Sequence, residues 1–184
     1  MLALQNEIVT PRLVLRLMER EVIDSCLAGD LQRAERLSDT RIPSELLEEP
    51  TALTYARTKM DADPQYRPWS IRAIILPANQ TMVGHIRFHS CPDPEYLHPF
   101  ARPAVEFGYH VFSQYRRRGY ATEAAHAVMD WAWATFGIRH FIVCVAPDNG
   151  ASLAVIAHFG FTRIGQHVDE TDGIEHIYLC QKGI

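Results

Sequence analysis

The sequence predicts an α/β fold with a mixed sheet in a single domain spanning residues 1–184. Three observations carry this. Strand-like alternation and helix-like periodicity interleave in the order strand, helices, three strands, helix, strand, helix, two strands. The 184 residues are enough to bury one core, and no linker-like shift in composition divides them. The chain is 47% hydrophobic and 22% charged, the balance of a globular protein rather than a disordered one.

The elements follow in order. Leu13, Leu15 and Leu17 alternate with Arg12, Val14, Arg16 and Met18, which predicts a half-buried strand opened by Pro11. Glu19 to Gly29 reads as a short helix closed by its glycine, and Asp30 is the expected N-cap of a continuation to Leu37. Leu53, Ala56 and Met60 give Pro50 to Met60 a helical face, and Asp61 to Pro68 reads as a polar loop. Trp69 to Leu76 and Thr81 to His89 form an expected hairpin across Asn79-Gln80. Four prolines make Cys91 to Pro103 a long loop before a strand from Ala104 to Phe112. Tyr120 to Phe136 is an amphipathic helix ended by Gly137. His140 to Ala146 is apolar enough for a strand covered on both faces. Ala151 to Phe159 is a short helix stopped by Gly160, and Phe161 to Val168 with Ile174 to Cys180 closes the chain as a hairpin around Asp172-Gly173.

Lysines and arginines number 18 against 22 acidic residues, a net charge of −4, which argues against a nucleic-acid partner. Cys26, Cys91, Cys144 and Cys180 are too dispersed for a disulfide framework or a zinc set and read as reduced thiols of a cytoplasmic protein. No apolar leader opens the chain, and no apolar run is long enough to span a membrane. His85 and His89 share a strand face with Arg87, but no carboxylate stands at ligand spacing, so no metal is expected.

Chemistry concentrates at Arg116-Arg117-Arg118-Gly119-Tyr120-Ala121-Thr122, between a strand and the longest helix. The first turn of a helix leaves N–H groups unpaired at its positive end, a ready site for an anion. Gly119 and Ala121 let a phosphate come close, and the arginines add charge. The segment lacks the Gly-Lys-Ser/Thr of a nucleotide-phosphate loop and the three glycines of a dinucleotide fingerprint.

Arg116-x-x-Gly119-x-Ala121 resembles the coenzyme A pyrophosphate motif of the GNAT N-acetyltransferase superfamily. Pro11 to Arg16, Glu106-Phe107-Gly108-Tyr109, Gly119 to Ala124, Asn149-Gly150-Ala151-Ser152 and Phe159-Gly160-Phe161 resemble, in order, segments of its ribosomal-protein N-acetyltransferase branch. The resemblance implies a mostly antiparallel sheet whose fourth and fifth strands splay apart, and acetyl-CoA as cosubstrate. The pantetheine arm would enter the gap and pair near Tyr109, His110 and Val111, with a backbone N–H there as oxyanion donor. Arg116, Arg117, Arg118, Gly119, Tyr120, Ala121 and Thr122 would hold the pyrophosphate. Asn149 would orient backbone or pantetheine, a role compatible with capping a helix.

Glu106 is the candidate base, sharing a strand face with Gly108 and His110. The position where many family members carry a tyrosine acid is Ile156 here, so Ser152 is the candidate proton donor to the thiolate. Glu123 suits the first turn of its helix as a support. Cys144 lies in the most apolar strand and reads as core rather than as an acyl-enzyme nucleophile. Trp131 and Trp133 cannot share one helix face, so one is core and the other surface or interface, compatible with a homodimer. The expected activity is direct acetyl transfer in a ternary complex to a primary amine, with a protein N-terminal α-amine first. Small amines such as antibiotics or polyamines, and a non-catalytic coenzyme A-binding sensor or interaction module, are the alternatives.

Overall fold

A computed structural model describes residues 6–169 and 173–183. Eight strands form one sheet in the order β1-β2-β3-β4-β5-β6-β8-β7. They are β1 (Glu7–Val9), β2 (Val14–Leu17), β3 (Arg72–Leu76), β4 (Thr81–Phe88), β5 (Ala104–Val111), β6 (His140–Val145), β7 (Thr162–Asp169) and β8 (Gly173–Gln181). Every pairing is antiparallel except β5 with β6. The helices are α1 (Arg20–Leu27), α2 (Leu31–Ser38), α3 (Thr51–Ala62), α4 (Tyr120–Phe136) and α5 (Gly150–His158). Among them, no described helix is long and apolar enough to cross a membrane.

Strand alternation sends successive side chains to opposite faces, and both faces are covered. Leu15, Ile74, Phe107, Phe141 and Val143 pack on the side of α4 and α5. Ala73, Ile75 and Met82 pack against α1, α2 and α3. Ala104 and Ile142 face Leu97. The apolar run of β6 is thus divided between two cores, as its composition predicts. α4 is the spine of the larger core. Trp131 is buried against Trp69, with ring centroids 5.1 Å apart, whereas Trp133 on the other helix face is 40% exposed.

Four readings of the sequence change. β1 was not expected; it is a three-residue edge strand on β2, turned by Thr10, whose backbone N–H and hydroxyl both meet the Leu13 carbonyl. The polar stretch from Asp61 to Pro68 is helical for the most part. α3 runs to Ala62, and Asp63 then caps a 3-10 turn over Pro64–Trp69 by accepting from the Gln65 N–H. Trp69 therefore ends that turn, and β3 begins at Arg72. The proline-rich loop contains a 3-10 turn at Glu95–Leu97. Met1 to Gln5, within the Met1 to Thr10 stretch expected not to be a secretory signal, and Asp172, expected in the last turn, lie outside the described residues.

Candidate functional site: a helix-start cradle and a split strand pair

The extra edge strand makes the expected fourth and fifth strands β5 and β6. They pair only through Ala104↔His140, Val105↔Phe141 and Glu106↔Ile142. Beyond Glu106, β5 stays paired with β4 up to Gly84↔Val111, while β6 follows β8. The two halves of the sheet therefore part at mid-strand. Hydrogen bonds from the His89 N–H to Glu106 and from the Phe112 N–H to Val83 fix the phase of β5. Even-numbered residues turn their backbone groups to β4, and Tyr109 and Val111 turn theirs to the gap. His110 was grouped with these two, but its backbone faces β4.

The cradle lies where β5 passes into α4. Arg117 (φ 62°) and Gly119 (φ 78°) are both left-handed, and Gly119 is the N-cap of α4. These bends turn successive N–H groups to one side. Among the described residues, the N–H groups of 117–122 meet no backbone acceptor. Such a run of open donors at the positive end of a helix is built for an anion. Arg116 Nε donates to the Val111 carbonyl at 2.9 Å, linking cradle to gap. An Arg118 nitrogen donates to Gln114, and the guanidinium of Arg118 lies over Tyr115.

Glu123 supports this turn, as its position predicts. Its carboxylate accepts from the Thr10 hydroxyl at 2.6 Å and from the backbone N–H and Nε of Arg12. Burial works against its charge, but Thr10 and Arg12 outweigh burial and lower its pKa. An open groove of about 990 Å³ continues from Gly119 and Thr122 along α4, toward Ala154 and His158 of α5.

Two groups of polar side chains flank the gap on opposite faces of β5. Toward α5, Asn149 caps the helix by accepting from the Ser152 N–H at 3.0 Å. The Tyr109 hydroxyl is buried beside the Ser152 side chain and makes no well-formed hydrogen bond. Burial raises its pKa, and Ser152 offsets that in part. Strand phase alone placed Tyr109 on this face; its meeting with Ser152 needed the fold. Ile156 is core, 3% exposed.

On the other face Glu106 is only 8% exposed. Its carboxylate accepts from Tyr96 Oη at 3.0 Å and stands 3.3 Å from His89 Nδ1. Burial alone would raise its pKa. His89, the Cys144 thiol and Tyr96 more than offset this, and hold the carboxyl at about 2. Gly108 is the floor beneath His89: a Cβ there would lie 3.0 Å from His89 Nε2. His110 stacks on His85, with ring centroids 5.7 Å apart. His85 is kept neutral by burial, aided by His110 and Arg87. Burial and then Arg116 lower the pKa of His110, and Glu49 and Glu45 offset this only in part.

Cys144 is half-buried, and its thiol is pushed up by burial and then by Glu106, Glu175 and Asp169. That is a poor state for a nucleophile. The strands bring Cys144, His167 and Glu175 together, with possible ligand atoms within 4.8 Å of one another. Linear spacing could not reveal this group, which adjoins Glu106 through Cys144; we assign no metal to it.

An anion cradle at a helix start, leading into a gap between two parallel strands that part, is the arrangement of the acyl-CoA-dependent N-acetyltransferase class. The chain belongs to the GNAT acetyltransferase family: the family model for an acetyltransferase (GNAT) domain matches residues 12–162. An uncharacterized N-acetyltransferase, YnaD of Bacillus subtilis (strain 168), is 27% identical over 92 residues, 50% of this chain and 49% of that protein. The matched stretch thus spans about half the length of that relative. Among solved structures, a ribosomal-protein-S5-alanine acetyltransferase from Vibrio fischeri is similar with a TM-score of 0.66 and 14% identity, covering 96% of this chain and 97% of that one. The microcin C7 self-immunity acetyltransferase MccE, in complex with acetyl-CoA and AMP, is similar with a TM-score of 0.61 and 13% identity, covering 94% and 93%. These likenesses concern the fold.

Proposed function

We propose that this protein transfers the acetyl group of acetyl-CoA directly to a primary amine, with a protein N-terminal α-amine as the preferred acceptor. The observation that carries the reading is the run of open N–H groups at 117–122, joined to a gap edged by the backbone of Tyr109 and Val111. The cradle takes the pyrophosphate, and the gap takes the pantetheine arm as an added strand would be taken. A gap-facing N–H of β5 then polarises the thioester carbonyl. Of the seven residues from Arg116 to Thr122, the backbone does most of the holding; Arg116 orders the edge of the gap through Val111.

The thiolate leaves on the α5 side, beside the hydroxyls of Ser152 and Tyr109. A phenol there fills the place left by Ile156. The acceptor enters on the opposite face, the side of Glu106 and His89. An α-amine, with an ordinary pKa of about 7.7–8.0, is largely ready for attack near neutrality, whereas a lysine at about 10.4 is not. Kinship of fold with an enzyme named for acetylating a ribosomal-protein alanine supports the same choice.

The test is thiol release from acetyl-CoA with a panel of peptides and small amines, with products identified by mass. Transfer to peptide α-amines, lost when the N-terminus is blocked, is the expected result. Transfer only to small amines such as a polyamine or an aminoglycoside moves the acceptor. Tight acetyl-CoA binding with no acceptor-dependent release makes the chain a coenzyme A sensor and overturns the enzyme reading.

A further inference from the structure

The Glu106 carboxylate is buried and engaged on both oxygens, a poor state for taking a proton from an amine. One oxygen accepts from Tyr96, the other faces His89 Nδ1, and Cys144 adds a third contact. His89 differs. Its Nδ1 is turned to Glu106 at 3.3 Å, the arrangement in which an Nδ1–H donates to the carboxylate and leaves Nε2 facing the other way. Its Nε2 stands over Gly108, one residue from the gap-facing backbone of Tyr109. The side chain retains 27% of its exposure. The groups around it are Glu106 from β5, Tyr96 from the 3-10 turn, Tyr55 from α3 with its ring 6.1 Å away, and Arg87 on β4, whose guanidinium lies over Tyr55. The Tyr55 hydroxyl donates to the His89 carbonyl and pins the strand end.

We propose that His89 Nε2 is the proton acceptor for the attacking amine, and that Glu106 is its positioning residue. This rests on the transferase reading above. The neutral amine's lone pair forms the C–N bond at the thioester carbonyl. The excess N–H proton passes to His89 Nε2. The C–S bond then breaks with its electron pair on sulfur, and the thiolate takes a proton relayed from solvent through the Tyr109–Ser152 side, so that both hydroxyls are restored. His89 returns its proton to solvent. Acetyl-CoA and amine become amide and free thiol, and nothing else is consumed.

The test pairs a pH–rate profile with imidazole nitrogen NMR of the same protein. His89→Gln is expected to lower kcat about 10²–10⁴-fold, the range of general base catalysis, with acetyl-CoA affinity and unfolding midpoint kept. Its remaining low-pH limb should follow the acceptor amine alone. Glu106→Gln is expected to keep more activity than His89→Gln and to change the shape of the low-pH limb of kcat/KM, because the ring loses the carboxylate that orients it. In the wild-type protein, the neutral ring should carry its proton on Nδ1. An unchanged kcat and pH profile in His89→Gln would overturn the proposal, as would a neutral ring protonated on Nε2. Absence of transfer by the wild type counts against the transferase reading instead, and the tautomer still decides the orientation of His89.

Discussion

Gly119→Val is expected to weaken acetyl-CoA binding by at least about 10²-fold, or about 2.7 kcal/mol. Gly119 holds the N-cap of α4 at φ 78°, where a β-branched residue is strongly disfavoured. A Cβ would also meet Arg12 Nη2 at 3.3 Å, on the side chain that pairs with Glu123. The substitution therefore disturbs the turn that aims the N–H groups and places methyl groups against the pyrophosphate. α4 is held mainly by its buried face, from Ala124 to Ala132, so the fold should survive. Isothermal titration with acetyl-CoA, beside a thermal unfolding curve, checks this. Unchanged affinity in a folded variant would remove the cradle from the account.

The second large effect falls on a residue with no chemistry of its own. Gly84→Ala is expected to destabilise the protein by about 1–3 kcal/mol or more and to weaken acetyl-CoA binding as well. A Cβ on Gly84 would lie 2.2 Å from the His110 carbonyl oxygen and 2.9 Å from Val111 Cα. Both are backbone atoms, so no rotamer change relieves the clash. β5 would have to move away from β4 where it edges the gap, and Val111 would carry the Arg116 anchor with it. Urea unfolding at equilibrium reads the stability, and titration reads the affinity. A variant as stable as the wild type would show that the strands are not so closely apposed.

These two glycines mark how much of the site was legible in the sequence. Gly119 was readable because its signal is local: arginines, glycine and alanine at fixed spacing before a helical pattern. Gly84 was not, since its neighbours are backbone atoms of a strand more than twenty residues away. The same division holds for the groups around Glu106. The phase of β5 placed Glu106 and Gly108 on one face. The side chain that meets Glu106, His89, directly follows β4 and is brought there by antiparallel pairing, and Tyr96 reaches Glu106 from a segment whose prolines suggested only a loop. Elements with strong periodicity, such as α4 and β6, appear where expected. β1 is three residues long, too short for alternation to register, and it owes its place to Thr10 and to its pairing with β2. The helical turn at Pro64–Trp69 was hidden because prolines and polar residues suit a loop and a capped turn equally.

The faint acidity of the chain takes on a more local meaning. Arg12, Arg116, Arg117 and Arg118 gather about the cradle, whereas Glu106 lies on the other face of β5 from Tyr109. Positive charge is thus concentrated at the cradle, although the chain as a whole is acidic. A net charge of −4 conceals that concentration.

Amide chemical-shift mapping during an acetyl-CoA titration tests the central claim most directly. The largest perturbations are predicted at the N–H groups of 117–122 and at Tyr109 and Val111, with His110 less affected because its N–H faces β4. Perturbations concentrated elsewhere, or none at saturating acetyl-CoA, would contradict the account.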